Sequence, residues 1–222
     1  MDKPIIKNRE QKRRIIEFSY KHKLSHLGSC LTAYDIIDEI FSIKKPDERF
    51  ILSSGHAGVA LYAAVEKFFS KPMEEIWGHH QNIHPDYCAE CHIDCSTGSL
   101  GQGLPIAVGM ALSDIKREKK VYCLVSDGET EEGSFWEALH IWHRSIYASN
   151  LKIYLNVNGW GAYQKIDKKV LYSKLENHIV SVDLLLNWRE TNVEQFPFLK
   201  GQNAHYAVMS EKDYKIAMEI LK

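Results

Sequence analysis

The sequence predicts an α/β fold: a doubly wound, mostly parallel sheet with helices on both faces. Three observations lead there. Residues 121–125 (Val-Tyr-Cys-Leu-Val) form a short apolar run rich in β-formers, and residues 151–157 repeat the pattern. Each run then breaks into polar and glycine residues, Ser126-Asp127-Gly128-Glu129 and Asn158-Gly159, as buried parallel strands do at their carboxyl ends. Between and around the runs lie segments of helical periodicity, the alternation expected of a parallel sheet.

The elements follow in order. Residues 9–23 read as a surface helix, with Ile15, Ile16, Phe18 and Tyr20 set among charges. Thr32 is placed to cap a second helix through Phe41, burying Ile36, Ile37, Ile40 and Phe41. Residues 50–52 are a short strand leading to His56, and residues 59–69 a helix. Residues 103–115 carry Ala107, Gly109 and Ala111 and read as a tightly packed helix; residues 134–146 read as another. There is no internal repeat and no low-complexity segment.

At 222 residues and 45% apolar content the chain can build one substantial core, so residues 1–222 are expected to form a single domain. Its 28 basic and 29 acidic residues leave a formal charge of −1, giving no electrostatic reason to expect nucleic acid or an anionic membrane as partner. The opening Met1-Asp2-Lys3-Pro4 leads into no apolar stretch, and no run approaches the roughly 20 residues that cross a bilayer. Five cysteines, an odd number, agree with a reducing compartment. A soluble, cytoplasmic protein is expected.

Candidate chemistry concentrates at the two strand ends. Ligands of open α/β sheets bind outside the carboxyl ends of the strands, which puts Asp127 and Asn158 on the functional edge. An acid, an amide and a backbone carbonyl suit a hard divalent cation that keeps its other positions for water or phosphate, so a metal–diphosphate is the natural ligand. The bland reading is a pair of ordinary turns. His26, His56 and His84 each stand beside a turn glycine or proline, where loops place functional groups, whereas His140 and His143 fall on a helix. The run Gly98-Ser99-Leu100-Gly101-Gln102-Gly103 lacks the Lys-Ser/Thr of a nucleotide P-loop and fails the dinucleotide spacing.

Asp127-Gly128, with Asn158 31 positions on, resembles the metal-binding motif of thiamine diphosphate enzymes. More narrowly, residues 10–158 resemble the amino-terminal, diphosphate-binding domain of transketolase. The likeness rests on Ser25-His26-Leu27-Gly28, Leu52-Ser53-Ser54-Gly55-His56-Ala57, Ile83-His84-Pro85-Asp86 and Ser96-Thr97-Gly98-Ser99-Leu100-Gly101-Gln102-Gly103, in the family's order. The resemblance implies thiamine diphosphate and Mg²⁺ (or Ca²⁺) as cofactors, with Asp127, Asn158 and the Trp160 carbonyl as metal ligands. It places Gly128 and His56 near the diphosphate and Gly98 and Leu100 against the cofactor rings. It makes His26, His56, His84 and His205 the catalytic candidates and Glu132 an interface residue. The implied reaction is transfer of a two-carbon ketol unit between sugar phosphates, by a subunit that needs a separately encoded carboxyl-terminal partner, in a homodimer or heterotetramer.

The chain departs from the family at Ser126, which replaces a glycine, at Asn156, which replaces a commonly acidic residue, and after Gln164. From about residue 165 it is shortened and divergent, with Asn192-Val193-Glu194-Gln195 and Phe196-Pro197-Phe198-Leu199-Lys200-Gly201 where the family has a lysine–glycine repeat. Likeness returns at Ala204-His205-Tyr206 and in a closing helix after Ser210. Two alternatives stand beside the ketol-transfer reading. One is another thiamine diphosphate-dependent synthase component. The other is a non-catalytic binding protein or zinc clip, using Cys88, Cys91, His92 and Cys95; the bland counterpart of the clip is a loop of free thiols.

Overall fold

The computed structural model describes residues 6–145, 149–179 and 186–222. In chain order the elements are α1 (Arg9–Lys21), α2 (Leu27–Ile43), β1 (Arg49–Leu52), α3 (Gly58–Phe69), α4 (Met73–His80), α5 (Gly103–Ser113), β2 (Val121–Ser126), α6 (Gly133–Arg144), β3 (Leu151–Val157), α7 (Lys168–His178), β4 (Leu186–Glu190), α8 (Asn203–Tyr206) and α9 (Glu211–Ile220). The strands pair in parallel in the order β1-β2-β3-β4, with Leu52 opposite Leu124, Ser126 opposite Asn156 and Val157 opposite Glu190.

Alternate strand residues feed two cores, one on each face, because successive side chains of a strand point to opposite sides. Phe50, Leu52, Tyr122, Leu124 and Tyr154 join the core that holds Ile15, Ile37 and Val59 of α1, α2 and α3. Ile51, Val121, Cys123, Val125, Ile153, Leu155 and Val157 join the core of Leu104, Phe135, Leu139 and Leu171 from α5, α6 and α7. This is the expected α/β architecture, a parallel sheet flanked by helices. Full burial of each large aliphatic side chain contributes roughly 1.5–3 kcal/mol, so central strands without a polar face hold both layers at once.

Several elements differ from the sequence reading. Thr32 does not cap α2, which begins five residues earlier. His26 stands at the helix start with φ 60°, and the Thr32 hydroxyl bonds back to the Ser29 carbonyl at 3.1 Å. The early start comes from packing: a methyl group on Gly28 would lie 2.5 Å from the Ala204 Cβ, so the first turn of α2 is pressed against α8. Helix α1 is amphipathic, but Ile15, Ile16 and Phe18 are fully buried, and Tyr20 stacks on Tyr214 of α9 with ring centroids 4.3 Å apart. Helices α5 and α6 stop at Ser113 and Arg144; Ile146, the expected end of α6, lies outside the described residues. The divergent tail builds α7, β4, α8 and α9. Among the described residues no helix is long and apolar enough to cross a membrane.

Candidate active site

The carboxyl ends of β1, β2, β3 and β4 lie along one edge, and the segments that follow them bring the site together. After β2 the chain enters a single tight turn, Asp127–Glu131. Asp127 is fully buried; its Oδ2 accepts the Gly159 amide at 2.6 Å and its Oδ1 accepts the Gly128 amide at 3.1 Å. Gly159, with φ 85°, supplies the left-handed turn that lets its amide reach back to Asp127. Asn158 stays partly exposed, its Oδ1 accepting the Trp160 amide at 2.9 Å. Burial pushes the Asp127 carboxyl up to about 7, the two amides pulling the other way. Among the described residues it has no ion-pair partner.

Two residues on, Glu129 is also fully buried but differently supplied. Oε1 accepts the Ser53 hydroxyl and the Gly101 amide (3.2 Å), and Oε2 accepts the Ser126 amide (2.8 Å) and hydroxyl (3.3 Å). One carboxylate thereby ties together the end of β1, the glycine-rich loop and the end of β2. Burial raises its pKa, opposed first by the Ser53 hydroxyl. The sequence reading assigned Glu129 no role; a carboxylate inside a strand-end turn was the one available signal.

A cavity of about 150 Å³ opens beside this edge, lined by His26, His56, His84, Gly98, Leu100, Gly128, Asn158, Trp160 and His205, among others. The structure therefore gathers the sequence-derived candidates, with Asp127 directly behind the wall. Glu132 stands apart, exposed at the start of α6 and packed beside Gly101. The imidazoles of His26, His56 and His205 form a triangle with centroids 5.2, 6.1 and 6.0 Å apart. His205 is held by its Nδ1 against the Ser29 hydroxyl at 3.1 Å, and its carbonyl accepts the His26 amide at 2.6 Å. His84 packs on Gly98, where a Cβ would come within 3.1 Å of the ring. Desolvation holds His26 down at about 4 and His56 at about 3, and lowers His84 and His205, with neighbouring imidazoles adding to the effect at His26 and His56. All four are neutral near pH 7, each with one ring donor and one acceptor.

The residues fit a divalent cation with a diphosphate. Asp127 is a buried carboxylate in need of positive charge, Asn158 offers an amide oxygen, and the Trp160 carbonyl lies 3.8 Å from where a Cβ on Gly128 would stand. Nδ1 of His26 is buried without a hydrogen-bond partner in the protein, a polar atom that a ligand would satisfy. Ser126 lines the cavity, yet its hydroxyl is engaged by Glu129. Asn156 donates to the Thr32 hydroxyl at 3.1 Å and accepts from Thr191 at 2.5 Å, tying α2 to β3 and to the segment after β4. Cys88 and Cys91 are joined as a disulfide, in contrast to a loop of free thiols; Cys30, Cys95 and Cys123 are free.

The chain is similar to known proteins in sequence and in fold. Residues 42–145 match the family model described as "Transketolase, thiamine diphosphate binding domain". The chain is 33% identical over 150 residues to one of the subunits of the apulose-4-phosphate transketolase of Phocaeicola vulgatus, covering 60% of this chain and 53% of that protein. It is 33% identical over 133 residues to the 6-deoxy-6-sulfo-D-fructose transketolase subunit SqwG of Clostridium sp., covering 52% and 48% respectively. The chain thus spans about half the length of these curated relatives. The solved transketolase of Campylobacter jejuni superposes with a TM-score of 0.74 at 20% identity, over 100% of this chain and 43% of that one, a likeness of fold.

Proposed function

The chain carries the thiamine diphosphate-binding domain of the transketolase family, and from that premise we propose that it is the amino-terminal subunit of a two-polypeptide enzyme moving a two-carbon ketol unit between sugar phosphates. The observation that carries the reading is the convergence of Asn158, Trp160 and four neutral imidazoles on one small cavity, with the buried Asp127 next in sequence to Gly128 of its lining. Bound there, thiamine diphosphate would supply a nucleophilic carbon and an electron sink for carbon–carbon cleavage.

The chain's own residues would do the rest. Asp127, Asn158 and the Trp160 carbonyl would hold Mg²⁺ or Ca²⁺, and the Asp127 carboxylate, costly when alone in its pocket, would be offset by the cation. Gly128 and Gly98 line the cavity with backbone alone, and their missing side chains make room for Gly161 and the His84 ring to pack against them. His26, His56, His84 and His205 would exchange hydrogen bonds and protons with the hydroxyls of a polyol, and their neutrality suits both accepting and donating. Glu132, exposed beside the glycine-rich loop, would meet a second copy of this chain.

The need for a partner is supported by the similar proteins. Two of the similar proteins are themselves named as subunits. Calorimetric titration with thiamine diphosphate and Mg²⁺, on the chain alone and mixed with the candidate carboxyl-terminal partner, tests the reading. Binding that tightens with the partner and disappears in Asp127→Ala is expected. No binding in either state would overturn it, and turnover with pyruvate as donor would redirect it to a synthase component.

A further inference from the structure

Between Pro85 and Thr97 the chain makes an excursion whose two feet are tied together. The Thr97 amide donates to the Pro85 carbonyl at 3.0 Å, and the Thr97 hydroxyl reaches the Leu52 carbonyl at 2.6 Å. The feet adjoin His84 and Gly98, so the excursion stands directly on the wall of the candidate active site. Within it, residues 88–93 fold into a tight knuckle. Cys88 and Ile93 exchange both backbone hydrogen bonds at 3.0 Å, and His92 turns the chain with φ 54°. The Cys91 amide lies 3.2 Å from the Cys88 sulfur, a donor that favours a thiolate there.

A third group arrives from a different element. His79, near the end of α4, brings a ring nitrogen to the two sulfurs, and the ligand atoms of His79, Cys88 and Cys91 all lie within 4.8 Å of one another. We propose that these three residues, in the reduced protein, form a zinc-type metal site that clips the loop between His84 and Thr97. Metal–ligand bonds of about 2.0–2.3 Å put tetrahedral ligands roughly 3.3–3.8 Å apart, so rotamer adjustments suffice to close the site. Two sulfurs and an imidazole select zinc over the hard, oxygen-seeking cation suited to Asp127. His79 is exposed and Cys88 half-buried, so solvent reaches the fourth position, and water completes the tetrahedron.

The ligand set differs from the one expected from sequence spacing. The His92 ring stacks flat on Phe69 at 3.9 Å, and the Cys95 thiol donates to the Ser96 carbonyl at 3.3 Å. Neither joins the cluster. The disulfide is the oxidised form of the same sulfur pair and excludes the metal. Two molecules of a small thiol reduce it, giving up two electrons and two protons and leaving as their own disulfide; Zn²⁺ then displaces the two cysteine protons.

The test uses the full chain, reduced with dithiothreitol, freed of metal and titrated with Co²⁺ and then Zn²⁺. One equivalent of Co²⁺ should produce thiolate-to-metal charge-transfer bands and intense tetrahedral visible bands, which one equivalent of Zn²⁺ erases. Cys88→Ser should weaken binding at least 100-fold and His79→Ala at least 10-fold, while Cys95→Ser, His92→Ala and Asp127→Ala keep the spectrum. The buried Cys91 is left intact, and circular dichroism checks that each variant is folded. Absence of the bands in the reduced protein, their persistence in Cys88→Ser, or their loss in Cys95→Ser would overturn the site. The Asp127→Ala arm separates this result from the cofactor reading, since it removes that cation and leaves this one.

Discussion

Asp127 and Glu129 occupy one turn, two residues apart, both carboxylates fully buried and both with pKa values raised by desolvation. They differ in what their oxygens already hold. Glu129 accepts four hydrogen bonds from three segments and has little left to offer. Asp127 accepts two backbone amides and keeps acceptor capacity for something the protein does not provide. Burial and a displaced pKa therefore do not by themselves distinguish the two. Unused acceptor capacity does, and by that measure Glu129 is the keystone of the turn while Asp127 is the carboxylate proposed above to hold a cation.

The largest effect should come from Glu129→Ala, which strands the Ser53 hydroxyl and the Gly101 and Ser126 amides in the interior. A loss of about 3–5 kcal/mol in unfolding free energy is expected by urea titration, and a loss under 1 kcal/mol would break the contrast. Asp127→Ala should act mainly on binding. Stability without cofactor should fall by less than in Glu129→Ala, since the two stranded amides of Gly159 and Gly128 are offset by removal of a desolvated carboxylate, while affinity for thiamine diphosphate with Mg²⁺ falls at least about 100-fold, or about 2.8 kcal/mol. Collapse of the unliganded variant would make Asp127 a structural residue like its neighbour.

The histidines extend the contrast to pH. His26 and His56 are held near 4 and 3, below the ~6.5 of an unfolded imidazole. Between those values the unfolded chain binds more protons, so this part of the stability is complete above pH ~6.5 and drains as the pH falls toward 4. Urea midpoints at pH 7.5 and pH 5 should differ less in His56→Gln than in the parent; an equal difference would mean that His56 does not contribute to the pH dependence. The smallest effect is expected for Ser126→Gly. It deletes one long hydrogen bond to Glu129, at a cost of about 0.5–1.5 kcal/mol, and leaves cofactor affinity within about twofold by calorimetry. A large gain in affinity would mean that the serine obstructs the diphosphate.

Much of this was legible in the chain. Strands β2 and β3 announce themselves because burial on both faces demands apolar runs, and Asp127, Asn158, His26, His56 and His84 stand out because each sits at a strand end or beside a turn residue. Strand β4 was not legible, since Leu186-Asn187-Trp188-Arg189-Glu190 lies at the sheet edge, where half-buried polar residues are tolerated. The start of α2 was misplaced because local capping preference favoured Thr32, while the contact of Gly28 with Ala204, 176 positions away, decided the boundary.

By itself, then, the sequence determined the layered α/β architecture and the donors offered at its strand ends, because periodicity and turn chemistry act over a few neighbouring residues. Only the tertiary structure decided which carboxylate is saturated and which is open, that His205 closes the imidazole triangle, and that His79 rather than His92 faces Cys88 and Cys91. Each of those depends on groups that are distant along the chain and meet only when the two cores pack against the sheet. Hydrogen-bond capacity and ligand geometry are properties of that meeting.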